Sequence, residues 1–218
     1  MEIFSVQPLE IQMAHSTSFI EAKAFEVLSA AGPNALIGRK VDVDQVCISL
    51  NVRLHVEELE SEVSGVLLVK GAERHILVNK AHNQRRQRFT IGHELGHLML
   101  HDMSKDRVIV DTHIRMYQRV GEATSSKYQQ SDSMTSPQEE REANTFAAAL
   151  LMPKPWVESE ALKHDLGDET AITTLANAFV VSEQAMFIRL QQLKIIESTY
   201  ATNDPGNMRG RQQRLELA

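Results

Sequence analysis

The chain has 218 residues, of which 42% are hydrophobic, and this is enough for one sizeable domain with an apolar core. Its net charge of −6 gives no global sign of nucleic-acid binding, and its single cysteine excludes an intramolecular disulfide or a zinc site made of several thiolates. The lack of an apolar run of about 18 residues and of a basic leader predicts a cytoplasmic protein with no membrane association.

Two helices are predicted at the start of the chain. Residues 1–17 are expected to be a lead-in, and residues 18–31 are expected to be helical because apolar side chains recur at helical spacing. A second, short helix is predicted over residues 43–50, with Cys47 as a small core residue. The side chains that the pattern places on one stripe of the first helix are Phe19, Ala22, Phe25, Leu28 and Ser29.

Three short strands are predicted next, over residues 52–59, 65–69 and 75–79. The first alternates apolar and polar side chains, which indicates a half-buried strand, and a turn joins the second to the third. We expect a small antiparallel sheet directly before the next helix. An edge strand of such a sheet can hold an extended peptide by backbone hydrogen bonds, although the sequence does not identify the edge.

The most informative stretch of the chain is H-E-x-x-H, formed by His93, Glu94 and His97 on a predicted helix. Residues four apart lie on one helix face, so both imidazoles can point at one zinc ion. Glu94 leaves the helix about 100° away from His93 and is free to take a proton from water held by the metal. Gly92 and Gly96 each cost roughly 1 kcal/mol relative to Ala in a helix, so we interpret them as points of close approach by another backbone or a substrate.

A polar insert is predicted over residues 102–137. Within it, residues 108–110 and 114–117 are expected to form a short strand pair. Residues 121–137 contain many Ser and Gln and few apolar side chains, which predicts a mobile loop near the site.

A second helix, over residues 139–152, supplies candidates for the third metal ligand. On a helical wheel Glu140 lies nearer the apolar stripe than Glu142 does, and a carboxylate at such an edge needs a cation. Glu140 is therefore the predicted third ligand and Glu142 the alternative. Asn144, on the same side, is predicted to hydrogen-bond a ligand histidine. His101 is expected to support the ligands or the helix end, because the long three-histidine signature is absent.

The C-terminal part predicts two short helices joined by a tight turn within residues 161–200, which is the helix-turn-helix layout, followed by a flexible tail over residues 201–218. Its second helix offers only Arg189 and Lys194 as cations, so packing or protein recognition is favoured over direct DNA binding. A basic patch precedes the motif helix and is formed by Lys80, Arg85, Arg86 and Arg88. A solvated helix start is the more common meaning of such a patch, and binding of phosphate or of an acidic partner is the alternative.

Residues 88–98 followed by residues 140–153, and later residues 175–190, resemble the ImmA/IrrE family of bacterial zinc metallopeptidases. The resemblance covers residues 43–195. It implies an α+β, zincin-like fold, mostly helical, with the small antiparallel sheet packed on the motif helix and a metallopeptidase domain over residues 18–160. It also implies a cytoplasmic zinc enzyme that removes a helix-turn-helix repressor of the Xre type in stress response, mobile-element control or a toxin–antitoxin-like pair.

Two functions are compatible with these residues. In an endopeptidase, three protein ligands leave a position for water that Glu94 deprotonates, and His113 and Tyr117 are candidate oxyanion donors by location alone. The alternative is a zinc-containing regulator that binds a repressor or DNA without proteolysis. That alternative predicts a fourth protein ligand, such as His101.

Overall fold

The computed structural model describes residues 14–112, 135–168 and 170–196. In chain order its helices are α1 (Thr17–Ala31), α2 (Val43–Ser49), α3 (Gln84–Leu100), α4 (Pro137–Leu151), α5 (Lys154–Ala161), α6 (Ala171–Phe179) and α7 (Glu183–Gln192). Its strands are β1 (Leu36–Ile37), β2 (Lys40–Val41), β3 (Arg53–Glu57), β4 (Val63–Lys70), β5 (Glu73–Asn79) and β6 (Arg107–Thr112). Helices packed around a small sheet make this an α+β fold, as the sequence predicted.

Helix α1 begins after Ser16, whose hydroxyl accepts the backbone N–H of Phe19. The predicted stripe was wrong, since Phe19 and Phe25 are 49% and 52% exposed and only Leu28 of that set is buried. The sequence contains a second stripe at helical spacing, and packing against α2 and α4 selects it. The buried side chains of the helix are Ile20, Ala24, Val27 and Leu28.

The main sheet has the strand order β3-β5-β4-β6. Strands β4 and β5 form an antiparallel hairpin, but β3 runs parallel to β5, with Arg53 opposite His75. The prediction of an antiparallel sheet was therefore wrong for its first strand. The chain runs out along β4 and returns along β5, and β5 then lies beside β3 in the direction that β3 already had, which makes the pair parallel.

Strand β6 joins this sheet through antiparallel pairing with β4. Residues 108–110 lie in a strand, as predicted, and pair with the middle of β4, where Ile109 lies opposite Leu67. Their predicted pairing with residues 114–117 stays a prediction. Residues 114–117 lie outside the described part of the chain. Within that part, β3 and β6 are the two edges of the sheet.

Helix α3 packs against strands β4 and β5 and also along helix α4. Helix α1 packs on α4 as well. The core lies where these elements meet, and the predicted α4 stripe (Ala143, Phe146, Ala147, Leu150 and Leu151) is buried there. Helix α4 begins with the capping box of Ser136 and Glu139, with Pro137 in the first turn. The motif helix is thus held between a sheet and a second well-capped helix.

Two arginines of the predicted basic patch are anchors inside the fold. Arg88 is buried and donates to the carbonyls of Val41 at 2.7 Å and Val180 at 3.3 Å. Arg85 donates to the carbonyl of Val181 at 2.9 Å. Both therefore tie α3 to the turn between α6 and α7, which weakens the interpretation of this patch as a surface for an acidic partner.

Helices α6 and α7 are separated by that turn and bent by 100° relative to each other. Val180 takes a left-handed conformation with φ of 54°, and Ser182 caps α7 by accepting the N–H of Ala185. Arg189 of α7 is 1% exposed, pairs with Glu21 and donates to the carbonyl of Met152 at 3.0 Å. It is therefore not available to a phosphate group.

Among the described helices, none is by itself long and apolar enough to cross a membrane. The pair α6 and α7 meets that criterion only when the two helices are taken together, by length and composition.

Candidate metal centre

His93 and His97 lie on consecutive turns of α3, which begins after Asn83, whose side chain caps the N–H of Arg86. Their ring nitrogens face each other, with Nε2 of His93 3.1 Å from Nε2 of His97. Both side chains are buried, at 3% and 0% exposed. Two ring nitrogens at this distance cannot both present lone pairs without repulsion, so the place between them favours a cation or a proton.

Glu140, in the first turn of α4, completes the group. Its Oε2 lies 3.4 Å from Nε2 of His93, and its Oε1 lies 3.6 Å from Nε2 of His97. The hydroxyl of Thr135 donates to Oε1 and orients the carboxylate. In the part of the chain that the structure describes, these three residues form the one group of three or more His, Cys, Asp or Glu side chains with ligand atoms within 4.8 Å of one another.

The donor set fits a zinc ion. Zinc in proteins takes His nitrogen and carboxylate oxygen at about 2.0–2.2 Å in tetrahedral geometry, which places ligand atoms about 3.3 Å apart. The three measured separations, 3.1, 3.4 and 3.6 Å, lie around that value. The three residues can therefore hold a metal ion with little movement.

The pKa values of the three side chains also favour a positive charge between them. Burial alone lowers the pKa of His93, but the hydrogen bond and charge of Glu140 raise it to about 9. Burial and then the charge of His93 lower the pKa of His97 to about 2. Burial raises the pKa of Glu140, but the hydrogen bond with His93 lowers it overall to about 2. The group is built to hold one positive charge between two rings and a carboxylate.

Glu94 points toward the sheet and is 0% exposed. Neither of its carboxylate oxygens has a hydrogen-bond partner among the described residues. Burial first, and then the charges of Asp111 and Glu140, raise its pKa well above the ordinary value for a glutamate. A buried carboxylate with a raised pKa beside a metal group is suited to accept and return a proton.

Asn144 and His101 contact the two histidines at Nδ1, on the side of each ring away from the facing Nε2 atoms. Oδ1 of Asn144 lies 3.1 Å from Nδ1 of His93, and Nδ1 of His101 lies 3.0 Å from Nδ1 of His97. Because His101 meets the far side of the His97 ring, it is outside the group that faces the candidate ion. Such contacts fix the ring orientation of a metal ligand.

Glu142, the alternative ligand, lies away from the group and is turned toward His15 and Gln138. Burial raises its pKa, but the hydrogen bonds from His15 and Gln138 lower it overall. The structure therefore does not bring Glu142 to the two histidine nitrogens that face Glu140.

Three contributors to the site escaped the sequence analysis. Gly65 lies against the general-base candidate, since a Cβ built on it would be 2.9 Å from Oε1 of Glu94 and 2.4 Å from Cγ2 of Thr90. An isolated glycine in an apolar strand is a signal of such close approach. The contacts of Thr135 and His15 depend on tertiary packing, and no pattern in the sequence indicates them.

The oxyanion candidates His113 and Tyr117 lie outside the described residues. Asp111 is placed, at the end of β6, and its charge acts on both His93 and Glu94. The end of β6 is therefore the sheet edge beside the metal group.

Comparison with known proteins gives two matches. The pattern of the IrrE N-terminal-like domain (Peptidase_M78) matches residues 47–191, more than half of the chain. The radiation response metalloprotease IrrE of Deinococcus radiodurans is 32% identical over 131 residues, which cover 60% of this chain and 35% of that protein. The aligned stretch thus spans about a third of that relative's length. The region that matches the family pattern contains the motif helix and α4.

Proposed function

This chain belongs to the ImmA/IrrE family, and we propose that it is a zinc-dependent endopeptidase that cleaves a specific regulatory protein. The observation that carries the proposal is the convergence of His93, His97 and Glu140 beside the unpaired, buried carboxylate of Glu94. His93, His97 and Glu140 would hold a zinc ion as three protein ligands, the number that catalytic zinc sites take from the protein.

Zinc, when bound, supplies a Lewis acid for the peptide carbonyl and makes water a better nucleophile at neutral pH. Glu94 would accept the proton of the attacking water and deliver it to the leaving amine. The side-chain oxygen of Asn144 contacts Nδ1 of His93 and orients that ring, and the hydroxyl of Thr135 orients the Glu140 carboxylate. The burial of Glu94 keeps bulk water from competing for its proton.

The substrate peptide is proposed to pair with β6. Of the two edges in the described sheet, β6 ends at Asp111, whose charge acts on His93 and Glu94, whereas β3 lies three strand positions away from it. An extended peptide added along β6 would pass the metal group while its backbone is held by hydrogen bonds. This arrangement agrees with a zincin-like architecture, in which the sheet lies over the motif helix.

The proposed substrate is a helix-turn-helix repressor of the Xre type, as the family resemblance implies, and the proposed location is the cytoplasm. The similar Deinococcus protein is named for a radiation response, so a stress-induced loss of the repressor is the favoured setting. The helix-turn-helix-like segment over residues 161–200 is proposed to recognise this partner rather than DNA. The buried Arg88 and Arg189 and the partly buried Arg85 favour that choice, because their charges are engaged within the fold.

The non-proteolytic alternative, a regulator with structural zinc, receives less support from the geometry. A structural site is closed by a fourth protein ligand. The residue proposed for that part, His101, contacts Nδ1 of His97 and not the side that faces Glu140.

The test is incubation of the purified chain with purified helix-turn-helix repressors of the Xre type, with zinc or with a chelator, followed by mass measurement of the products. We expect two discrete fragments with zinc and none with the chelator. Glu94→Gln should still bind zinc and should abolish cleavage, while Glu62→Gln, an exposed glutamate in the loop before β4, should cleave normally. Full cleavage by Glu94→Gln would overturn the proposed mechanism.

A further inference from the structure

A continuous line of contacts leads from the metal group to the segment before α1. On the far side of His97 from the group, Nδ1 lies 3.0 Å from Nδ1 of His101. Nε2 of His101 lies 3.4 Å from Oε2 of Glu142, and the same oxygen lies 2.6 Å from Nδ1 of His15. His15 and Glu142 are 127 positions apart in sequence, so only the fold brings them together.

If His97 binds a metal through Nε2, only one assignment of protons to the ring nitrogens of His97 and His101 is compatible with these contacts. A metal-binding nitrogen carries no proton, so the neutral His97 ring carries its proton on Nδ1 and donates it toward His101. Nδ1 of His101 must then be an acceptor, which leaves the proton of that neutral ring on Nε2. That nitrogen has no hydrogen-bond partner among the described residues, and Oε2 of Glu142, 3.4 Å away, is the carboxylate oxygen beside it.

Glu142 is held as the final acceptor. Its Oε1 accepts the backbone N–H of His15 at 2.9 Å and the side-chain amide of Gln138 at 2.9 Å. Its Oε2 accepts from His15 Nδ1, and the side chain is only 7% exposed. A buried carboxylate surrounded by donors stays an acceptor and cannot turn away to accept from water.

We propose that His101 and Glu142 form an ordered hydrogen-bond relay that fixes the tautomer of His97, and that His15 is the positioning residue that holds Glu142 at its end. The inference rests on the proposed zinc site and deepens it, because it extends the site to the start of α1. It assigns Glu142 the role of orienting a ligand through another ring, rather than that of a ligand. Outer contacts of this kind alter metal affinity about 10–100-fold when they are removed.

The first measurement is the ring tautomer of each histidine in the zinc-loaded protein, from long-range nitrogen–proton correlations in ¹⁵N-labelled chain. We expect His97 with its proton on Nδ1 and His101 with its proton on Nε2. A side chain that only fills space would leave the tautomer of His101 unspecified. His101 protonated on Nδ1 in the zinc-loaded protein would overturn the relay.

The second measurement is zinc affinity by competition with a chromophoric chelator. We expect Glu142→Gln to weaken zinc binding about 10–100-fold and to leave His101 as a mixture of tautomers. His15→Ala, at a partly exposed position where folding is less at risk, should weaken zinc in the same direction by a smaller factor. His164→Ala serves as the control, since His164 lies near Glu160 and away from the metal group.

The outcomes separate this inference from the proposed function. Zinc affinities unchanged within twofold in both Glu142→Gln and His15→Ala would overturn the relay, even if the wild-type chain cleaves its substrate. If the wild-type chain binds zinc and both variants bind it more weakly, but no repressor is cleaved, the result supports the relay and counts against the proposed substrate. A wild-type chain that does not bind zinc would overturn both.

Discussion

Gly96 of α3 meets Ala143 of α4 backbone to backbone. A methyl group built on Gly96 would lie 2.8 Å from the Ala143 Cα and 2.9 Å from its carbonyl oxygen. One turn earlier, a methyl group on Gly92 would lie 3.3 Å from both Cα and Cβ of Ala147. The predicted close approach at the two glycines is therefore confirmed, and the approaching backbone is the helix that carries Glu140.

Gly96→Ala is expected to destabilise the protein, because the contact is with backbone that cannot move away without separating the two helices. The gain in helix propensity, about 1 kcal/mol, should be outweighed by overpacking, for a net loss of about 1–3 kcal/mol. Urea unfolding followed by circular dichroism measures this. Gly92→Ala is the matched control, since its neighbours lie at 3.3 Å and need to shift only slightly. A Gly96→Ala variant more stable than wild type would contradict the close contact.

The same pair of helices shows why part of this structure was predictable. Their caps, Asn83 and Ser136, and their apolar periodicity are local signals, and local signals fix where helices begin and which face is buried. The helical wheel singled out Glu140 for the same reason, and the structure brings it to the two histidines. In a helix, the direction of a side chain follows from its place in the sequence, because the helical period is fixed.

The features that escaped prediction depend on long-range pairing. The parallel placement of β3 beside β5, and the pairing of β6 with β4, follow from which strands meet in the folded chain, and strand patterns do not encode that choice. In α1 two stripes had acceptable spacing, and only packing on α2 and α4 decides between Phe25 and Ala24. The contact of His15 with Glu142 likewise has no local signal.

Gly65→Ala is expected to impair cleavage while sparing zinc binding. The added methyl group would lie 2.4 Å from Cγ2 of Thr90 and 2.9 Å from Oε1 of Glu94, so the carboxylate must move. A displacement of about 1 Å can cost on the order of 10²-fold in rate, and kcat/KM on the identified substrate measures it. Because Thr90→Ser removes the closest carbon, the double variant should recover part of the loss. Unchanged kcat/KM in Gly65→Ala would show that Glu94 tolerates the shift.

Arg189→Met is expected to destabilise the fold by about 3 kcal/mol. The substitution removes a buried cation that pairs with Glu21 through both guanidinium nitrogens and also donates to Met152. The partner carboxylate then remains without its charge partner, which is the costly way to break such a pair. The midpoint of urea unfolding measures the loss. Arg189→Met combined with Glu21→Leu should recover part of it, and a double variant no more stable than the single one would count against the pairing.

Cys47 is expected to resist thiol reagents in the folded protein. It is 1% exposed in α2, and burial, with a smaller contribution from the charge of Asp44, raises the pKa of its thiol from 9.0 to about 12. At pH 8 the thiolate, which is the reactive form, should be roughly 10³-fold scarcer in the folded chain than in the unfolded chain. Iodoacetamide labelling with and without urea, followed by mass measurement, tests this.

The same buried thiol makes the stability of the protein depend on pH. Because unfolding releases a thiol that ionises more easily, the contribution of the Cys47 thiol to stability is complete below pH 9 and is lost as pH rises toward 12. The Cys47→Ala variant should lose less stability than wild type over that window, and labelling of the native chain within tenfold of the unfolded rate would contradict the buried position.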